Sequence, residues 1–108
     1  MIRCFRDNKG FPRAEVLNGH PNIGTFLEDD VMSSTVGGQK CMAAAEDVEA
    51  GRLPKWSGTG NAHTVTIQPD GVSIENVWDE GLGVAEMSIP EFKQCLGSWL
   101  RLISPPSP

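Results

Sequence analysis

Two histidines, His20 and His63, are the residues of this 108-residue chain best suited to acid–base chemistry, because imidazole titrates near neutral pH. Paired as general acid and base they would cleave RNA, a reaction that also needs cations to stabilise a phosphorane. No Lys or Arg lies within seven residues of His63, and both histidines read most simply as structural or surface groups. Carboxylates recur in clusters: Glu28-Asp29-Asp30, Glu46-Asp47 with Glu49, and Asp79-Glu80. Glycosidases use two carboxylates and calcium sites several. Such pairs arise by chance in an acidic chain, none matches an EF-hand loop, and no metal is expected. Gly58-Thr59-Gly60-Asn61 has the glycines of a phosphate cradle but not its lysine, and it precedes a strand pattern rather than a helix. It reads as a glycine-loosened lead into a strand. Cys4, Cys41 and Cys95 are odd in number and far apart, which argues against a disulfide framework and against a CxxC site. They read as free, part-buried thiols in a reducing cytosol, and no cofactor is expected.

The elements that must position these groups follow from turn chemistry and periodicity. Ile2–Arg6 and Phe11–Leu17 flank Asp7-Asn8-Lys9-Gly10 and read as a β-hairpin. Asn18–Asn22 is loop by composition, and Thr25-Phe26-Leu27-Glu28 has capping-box spacing for a short helix reaching Ser33. A second helix is expected over Val36–Ala50, with Cys41, Ala44, Ala45 and Val48 on one face and Gly51 as its stop. Gly37-Gly38 makes a poor first turn for it. Asn61–Gln68 and Val72–Trp78 alternate around the turn signal Pro69-Asp70-Gly71, and a third strand follows from Leu82 to Ser88. Ser88-Ile89-Pro90-Glu91 is a capping box with proline in the first turn. Phe92, Leu96, Trp99 and Ile103 then run down one helical face. The expected fold is α+β, order ββ-α-βββ-α: one antiparallel sheet of about five strands with two main helices packed on it. It spans 1–104 as a single domain, and Pro105–Pro108 form a disordered proline-rich tail.

Charge narrows the function. Gly and Pro make up 20 residues beside a 39% apolar share, the balance of a loop-rich globular domain. No apolar run approaches the roughly 20 residues that cross a bilayer, and the opening Met1-Ile2-Arg3-Cys4-Phe5-Arg6 is charged where a signal peptide is apolar. Fourteen acids against nine bases give a net charge of −5, which argues against nucleic acid or an anionic membrane as partner. The charges are segregated. Residues 1–13 carry +3, residues 14–51 carry −6, and Trp56–Phe92 hold six acids with no Lys or Arg. Glu46, Asp47 and Glu49 crowd a helix C-terminus, where the macrodipole disfavours anions by about 0.3–1 kcal/mol each. A surface of this kind suits a cationic partner, or simply keeps the chain in solution.

Several stretches in order carry a resemblance: Phe5-Arg6-Asp7 with Gly10 and Arg13-Ala14, Gly24-Thr25-Phe26-Leu27-Glu28-Asp29-Asp30-Val31, Trp56-Ser57-Gly58-Thr59-Gly60-Asn61-Ala62-His63, Gly71-Val72-Ser73-Ile74-Glu75-Asn76, and the helix from Pro90-Glu91-Phe92 to Trp99-Leu100. Together they resemble the small immunity proteins of contact-dependent growth inhibition, over nearly the whole chain. A related group of small bacterial proteins of unknown function shares the layout. The resemblance implies a cytoplasmic protein that binds one toxin domain, often a nuclease, and blocks its active site; the free chain is expected to be a monomer. A nuclease carries cations for its phosphates, and a carboxylate-rich inhibitor can occupy that cleft by steric and electrostatic occlusion. The candidate toxin contacts are Glu28, Asp29, Asp30, Glu46, Asp47 and Glu49, with Asp79 and Glu80 as a second patch. Trp56 and Trp78 can anchor an interface where exposed but are more often core, and Trp99 is assigned to the core. The alternatives are a small housekeeping binding protein with another partner, or an enzyme using His20 and His63.

Overall fold

The computed structural model describes residues 2–104; the proline-rich tail at 105–108 lies outside them. The chain opens with an antiparallel hairpin, β1 (Ile2–Arg6) and β2 (Pro12–Val16), in a register that sets Cys4 opposite Ala14. Asp7 makes the turn, its carboxylate accepting from the backbone N–H of Lys9 and of Phe11. Helix α1 (Asn22–Phe26) runs directly into a π-helical turn, Leu27–Val31. Helix α2 (Thr35–Glu49) follows. Four strands come next, β3 (Trp56–Thr59), β4 (His63–Gln68), β5 (Gly71–Asn76) and β6 (Val84–Met87), with a 3-10 turn at Glu80–Leu82 before the last. Helix α3 (Ile89–Ile103) closes the domain.

The α+β class agrees with the sequence expectation, but the strands do not form one sheet. They form a separate pair, β1-β2, and a four-stranded antiparallel meander, β3-β4-β5-β6. The strand missing from the sequence reading is β3. Its four residues are too few to show a period, and Gly58 hides it: the glycine lies beneath the Trp56 ring, where a Cβ would come within 2.6 Å of the indole. The strand expected from Leu82 is shorter, because Glu80–Leu82 are drawn into a 3-10 turn capped by the Asp79 carboxylate on Gly81 N–H. The short helix also starts earlier than Thr25. Thr25 and Glu28 form no capping box. Thr25 lies inside the helix, its hydroxyl donating back to Asn22 O (3.3 Å), and the Glu28 carboxylate leaves the helix for its tertiary partner Ala14 N–H (2.7 Å).

The alternating residues Val65, Ile67, Val72, Ile74 and Ala85 face the helices and are buried. Against them pack Ile23, Phe26 and Leu27 from α1 and its π turn, Ala44, Ala45 and Val48 from α2, and Phe92, Cys95, Leu96, Trp99 and Ile103 from α3. The hairpin β1-β2 lies against α3 and α1, contributing the half-buried Ile2, Cys4, Ala14 and Val16. Gly38 is the close-approach point of α2 and α3: a Cβ there would collide with the Leu100 side chain and come within 3.3 Å of Val31. The weak first turn is therefore a packing requirement, and Ser34 compensates by accepting from Gly37 N–H (3.0 Å). The capping box at Ser88 and Glu91 forms as expected. No helix among the described residues is long and apolar enough to cross a membrane.

Candidate protein-binding surface

The eight candidate carboxylates fall into three environments. Two are engaged inside the fold. The Asp30 side chain is only 4% exposed and accepts from the backbone N–H of Ala62 and of His63, both at 2.9 Å. Glu28 accepts from Ala14 N–H and sits 3.8 Å from Arg13. These two staple the π turn to β4 and to β2. Among the described residues the acidic run therefore leaves one carboxylate without an ion pair or hydrogen bond, that of exposed Asp29.

A second group lies at the carboxyl end of α2. Glu49 pairs with Lys93 (2.9 Å) and Asp47 with Arg52 (2.9 Å); Glu46 is exposed. The pairing with Glu49 holds the Lys93 ammonium above its ordinary range. The crowding at the helix end thus has cations of this same chain beside it. Glu49 shares a hollow with Pro69, Asp70 and Ser88, which places this group at the β4–β5 turn.

The third group is at the opposite end of the same strands, the length of β4 away, or about 17 Å at roughly 3.3 Å per residue. Here Asp79 and Glu80 are exposed, and neither takes part in an ion pair among the described residues. Between them and Asp29 stands Asn61: its amide donates to Asp29 O (3.1 Å) and its carbonyl accepts from the Trp78 indole N–H (2.8 Å). The fold so brings the backbone of Asp29 to the Asn61–Trp78 end that also carries Asp79 and Glu80, and places Glu46, Asp47 and Glu49 at the other.

Trp78 is 80% exposed, beside exposed Val77, Leu82 and Val84. Its segment is nevertheless held. Asn76 Oδ1 accepts from the backbone N–H of Trp78 (2.8 Å) and of Asp79 (3.0 Å), and Val77 N–H donates to Ala62 O (2.8 Å). Leu82 O accepts from His20 Nε2 (2.7 Å), and Gly83 O accepts from the Asn22 amide (3.1 Å). Since a carbonyl can only accept, Nε2 of His20 carries the proton, and Nδ1 accepts from Asn22 N–H (3.1 Å). Asn22, Asn61 and Asn76 were invisible as site residues in the sequence. Only the pair Asn76 and Trp78, two apart after a strand, carried a local turn signal.

His63 is fully buried. Thr25 Oγ1 gives its proton to Asn22 O, so it receives one from His63 Nε2 (2.9 Å). His63 Nδ1 lies 3.4 Å from Asp30 Oδ1 without hydrogen-bond geometry, and the Phe26 ring edges against the imidazole. The Thr25–His63 hydrogen bond links α1 to β4, and Asp30 links the π turn to β4 through the backbone N–H groups of Ala62 and His63. His20 is bound elsewhere, to Leu82 and Asn22. The remaining tryptophans are positioned differently from Trp78: Trp99 is buried, its indole N–H on Met32 O (2.8 Å), and Trp56 is half-buried against the core. All three thiols are free, and burial pushes Cys4, Cys41 and Cys95 upward in pKa.

The outer face of the meander carries Ser57, Thr59, Thr64, Thr66, Ser73, Glu75 and Glu86. Among the described residues no helix covers it, and a depression of about 470 Å³ runs across Thr66, Gln68, Ser73 and Glu86. No group of three or more potential metal ligands occurs among the described residues. Compared with known proteins, the chain matches no family model, no curated protein and no solved structure.

Proposed function

We propose that this protein neutralises a cationic toxin domain, as an immunity protein of the contact-dependent growth inhibition type, in a 1:1 complex that occludes the toxin's active site without chemistry on it. The observation that carries the reading is the cation-free meander: β3 to β6 contain no Lys or Arg, while Asp70, Glu75, Asp79, Glu80 and Glu86 are exposed along its strands, turns and loops. Opposed potentials accelerate encounter and reject wrong partners, and a nuclease cleft supplies the matching cations. The exposed carboxylates Asp29, Asp79 and Glu80, which have no ion pair among the described residues, are the preferred contacts. Glu46, Asp47 and Glu49, partly neutralised by Arg52 and Lys93, are secondary, and Glu28 and Asp30 serve the fold that presents Asp29.

The test is co-expression with the toxin domain encoded beside this chain in its source cell, followed by calorimetry at two salt concentrations. Restored growth and a stoichiometric complex weakened by salt are expected. Absence of a complex would reject the reading in favour of a binding protein with another partner.

A further inference from the structure

We infer that Trp78 is a fixed aromatic platform on which an arginine side chain of a protein partner stacks, with Asp79, Glu80 and Asp29 supplying the counter-charge. The inference sharpens the toxin-binding reading and takes from it that the partner is a protein. Its chemistry comes from the segment itself.

Four exposed apolar side chains, Val77, Trp78, Leu82 and Val84, gather within eight residues at one end of the meander. Water disfavours such a patch, and a mobile loop would fold the indole down onto the domain. Hydrogen bonds oppose that movement here. Asn61 O holds the indole by its N–H edge, Asn76 Oδ1 fixes the backbone on both sides of the ring's attachment, and His20 and Asn22 fix the far side of the loop. The ring is therefore held at its N–H edge and at its backbone while exposed to solvent, and a partner loses less entropy in meeting a held ring than a free one. Tryptophan is enriched among the few residues that dominate interface energies.

The occupant follows from charge. An indole face attracts cations, no Lys or Arg occurs between Trp56 and Phe92, and the carboxylates that flank Trp78 in the chain, together with Asp29 reached through Asn61, have no ion pair among the described residues. A guanidinium satisfies the whole arrangement. Its plane stacks on the ring, its stem covers apolar surface, and its in-plane N–H groups reach carboxylates, whereas an ammonium is a hydrated point charge that does only part of this. An acidic segment would be repelled, and a neutral apolar ligand would leave the carboxylates unanswered.

The experiment titrates the 15N-labelled full chain with hexa-arginine peptide, with hexalysine and hexaglutamate as comparisons, and follows backbone amides and the three indole N–H signals. Hexa-arginine should shift the Trp78 indole and the amides of 76–84 and Asp29 saturably, and bind more tightly than hexalysine; hexaglutamate should not bind. Trp78→Ala should weaken hexa-arginine about tenfold, the scale of a well-formed cation–π contact, while core amides stay in place. D79N/E80Q, which retains the capping oxygen at 79, should also weaken it. The inference is overturned by equal binding to the Trp78→Ala protein, by equal affinity for the two basic peptides, or by shifts confined to the Glu46–Glu49 end. It is likewise overturned if the chain self-associates through this platform, using the basic hairpin of a second copy, and Trp78→Ala abolishes that instead. A toxin domain that fails to bind leaves the peptide result standing, and peptide bound elsewhere leaves toxin inhibition to its own test.

Discussion

Asp30 and Asp29 are neighbours in the chain with opposite roles, and the difference is measurable. Asp30 satisfies two backbone N–H groups in a nearly closed site, so Asp30→Ala should cost about 2–3 kcal/mol in urea unfolding, the scale of charge-assisted bonds lost and donors left unpaired. Asp29→Ala should stay within about 0.5 kcal/mol. Comparable losses at both positions would show that the carboxylate of Asp30 is not what ties the π turn to β4. The thiols make a second prediction. Cys4, Cys41 and Cys95 all titrate above the ordinary 9.0, chiefly because burial disfavours the thiolate, and Lys93 titrates above 10.5 through its hydrogen bond to Glu49. Above pH 9 the unfolded chain releases thiol protons that the folded chain keeps, so stability falls as pH rises, and the Lys93 contribution is lost at still higher pH. Below 9 these four groups are protonated in both states and add no slope. Unfolding at pH 8 and pH 10 checks the sign: a midpoint that does not fall at pH 10 would contradict it.

At the scale of elements, α3 was legible because every signal for it is local. Ser88, Pro90 and Glu91 mark the start, and an apolar stripe at helical spacing marks the face, all within sixteen residues. Ser88→Ala should cost about 1 kcal/mol, read as a lowered melting temperature. Helix α2 was legible in extent, and its glycines were not explained until α3 lay across it. Gly38→Ala improves helix propensity by about 1 kcal/mol, yet should destabilise the domain by about 1–2 kcal/mol through overpacking against Leu100 and Val31. Adding Leu100→Ala should recover part of that loss in a double-mutant cycle; strictly additive effects would mean that the two helices do not meet at this point. The π turn and β3 were not legible. The first is imposed by Glu28 and Asp30 reaching β2 and β4, and the second is too short and glycine-softened to show alternation.

For the molecule as a whole, the net charge of −5 is visible in composition, but its geometry is not. Packing sorts the candidate carboxylates into a group beside the β4–β5 turn, where Asp47 and Glu49 are paired, and a group around Trp78 with no ion pair among the described residues. Reversing Asp29, Asp79 and Glu80 to lysine should slow association with the basic partner at least about tenfold at low salt and flatten its salt dependence. Reversing Glu46, Asp47 and Glu49 should do less, because Arg52 and Lys93 already stand there. Equal effects would mean that overall charge, not the Trp78 end, steers binding. The sequence by itself determined the class of fold, the capped final helix, the β4–β5 hairpin and the sign of the surface, because each depends on residue types or on neighbours a few positions apart. Only the tertiary structure decided which acids are free, why Gly38 is glycine, that His63 is enclosed by Thr25 and Asp30, and that Asp29, Asn61 and Trp78 meet. The contacts Asn61–Trp78, Asp29–Asn61, Asp30–His63, Thr25–His63 and Gly38–Leu100 join residues 17 to 62 positions apart, and their partners are chosen by the burial of the apolar faces between sheet and helices, which no local pattern encodes.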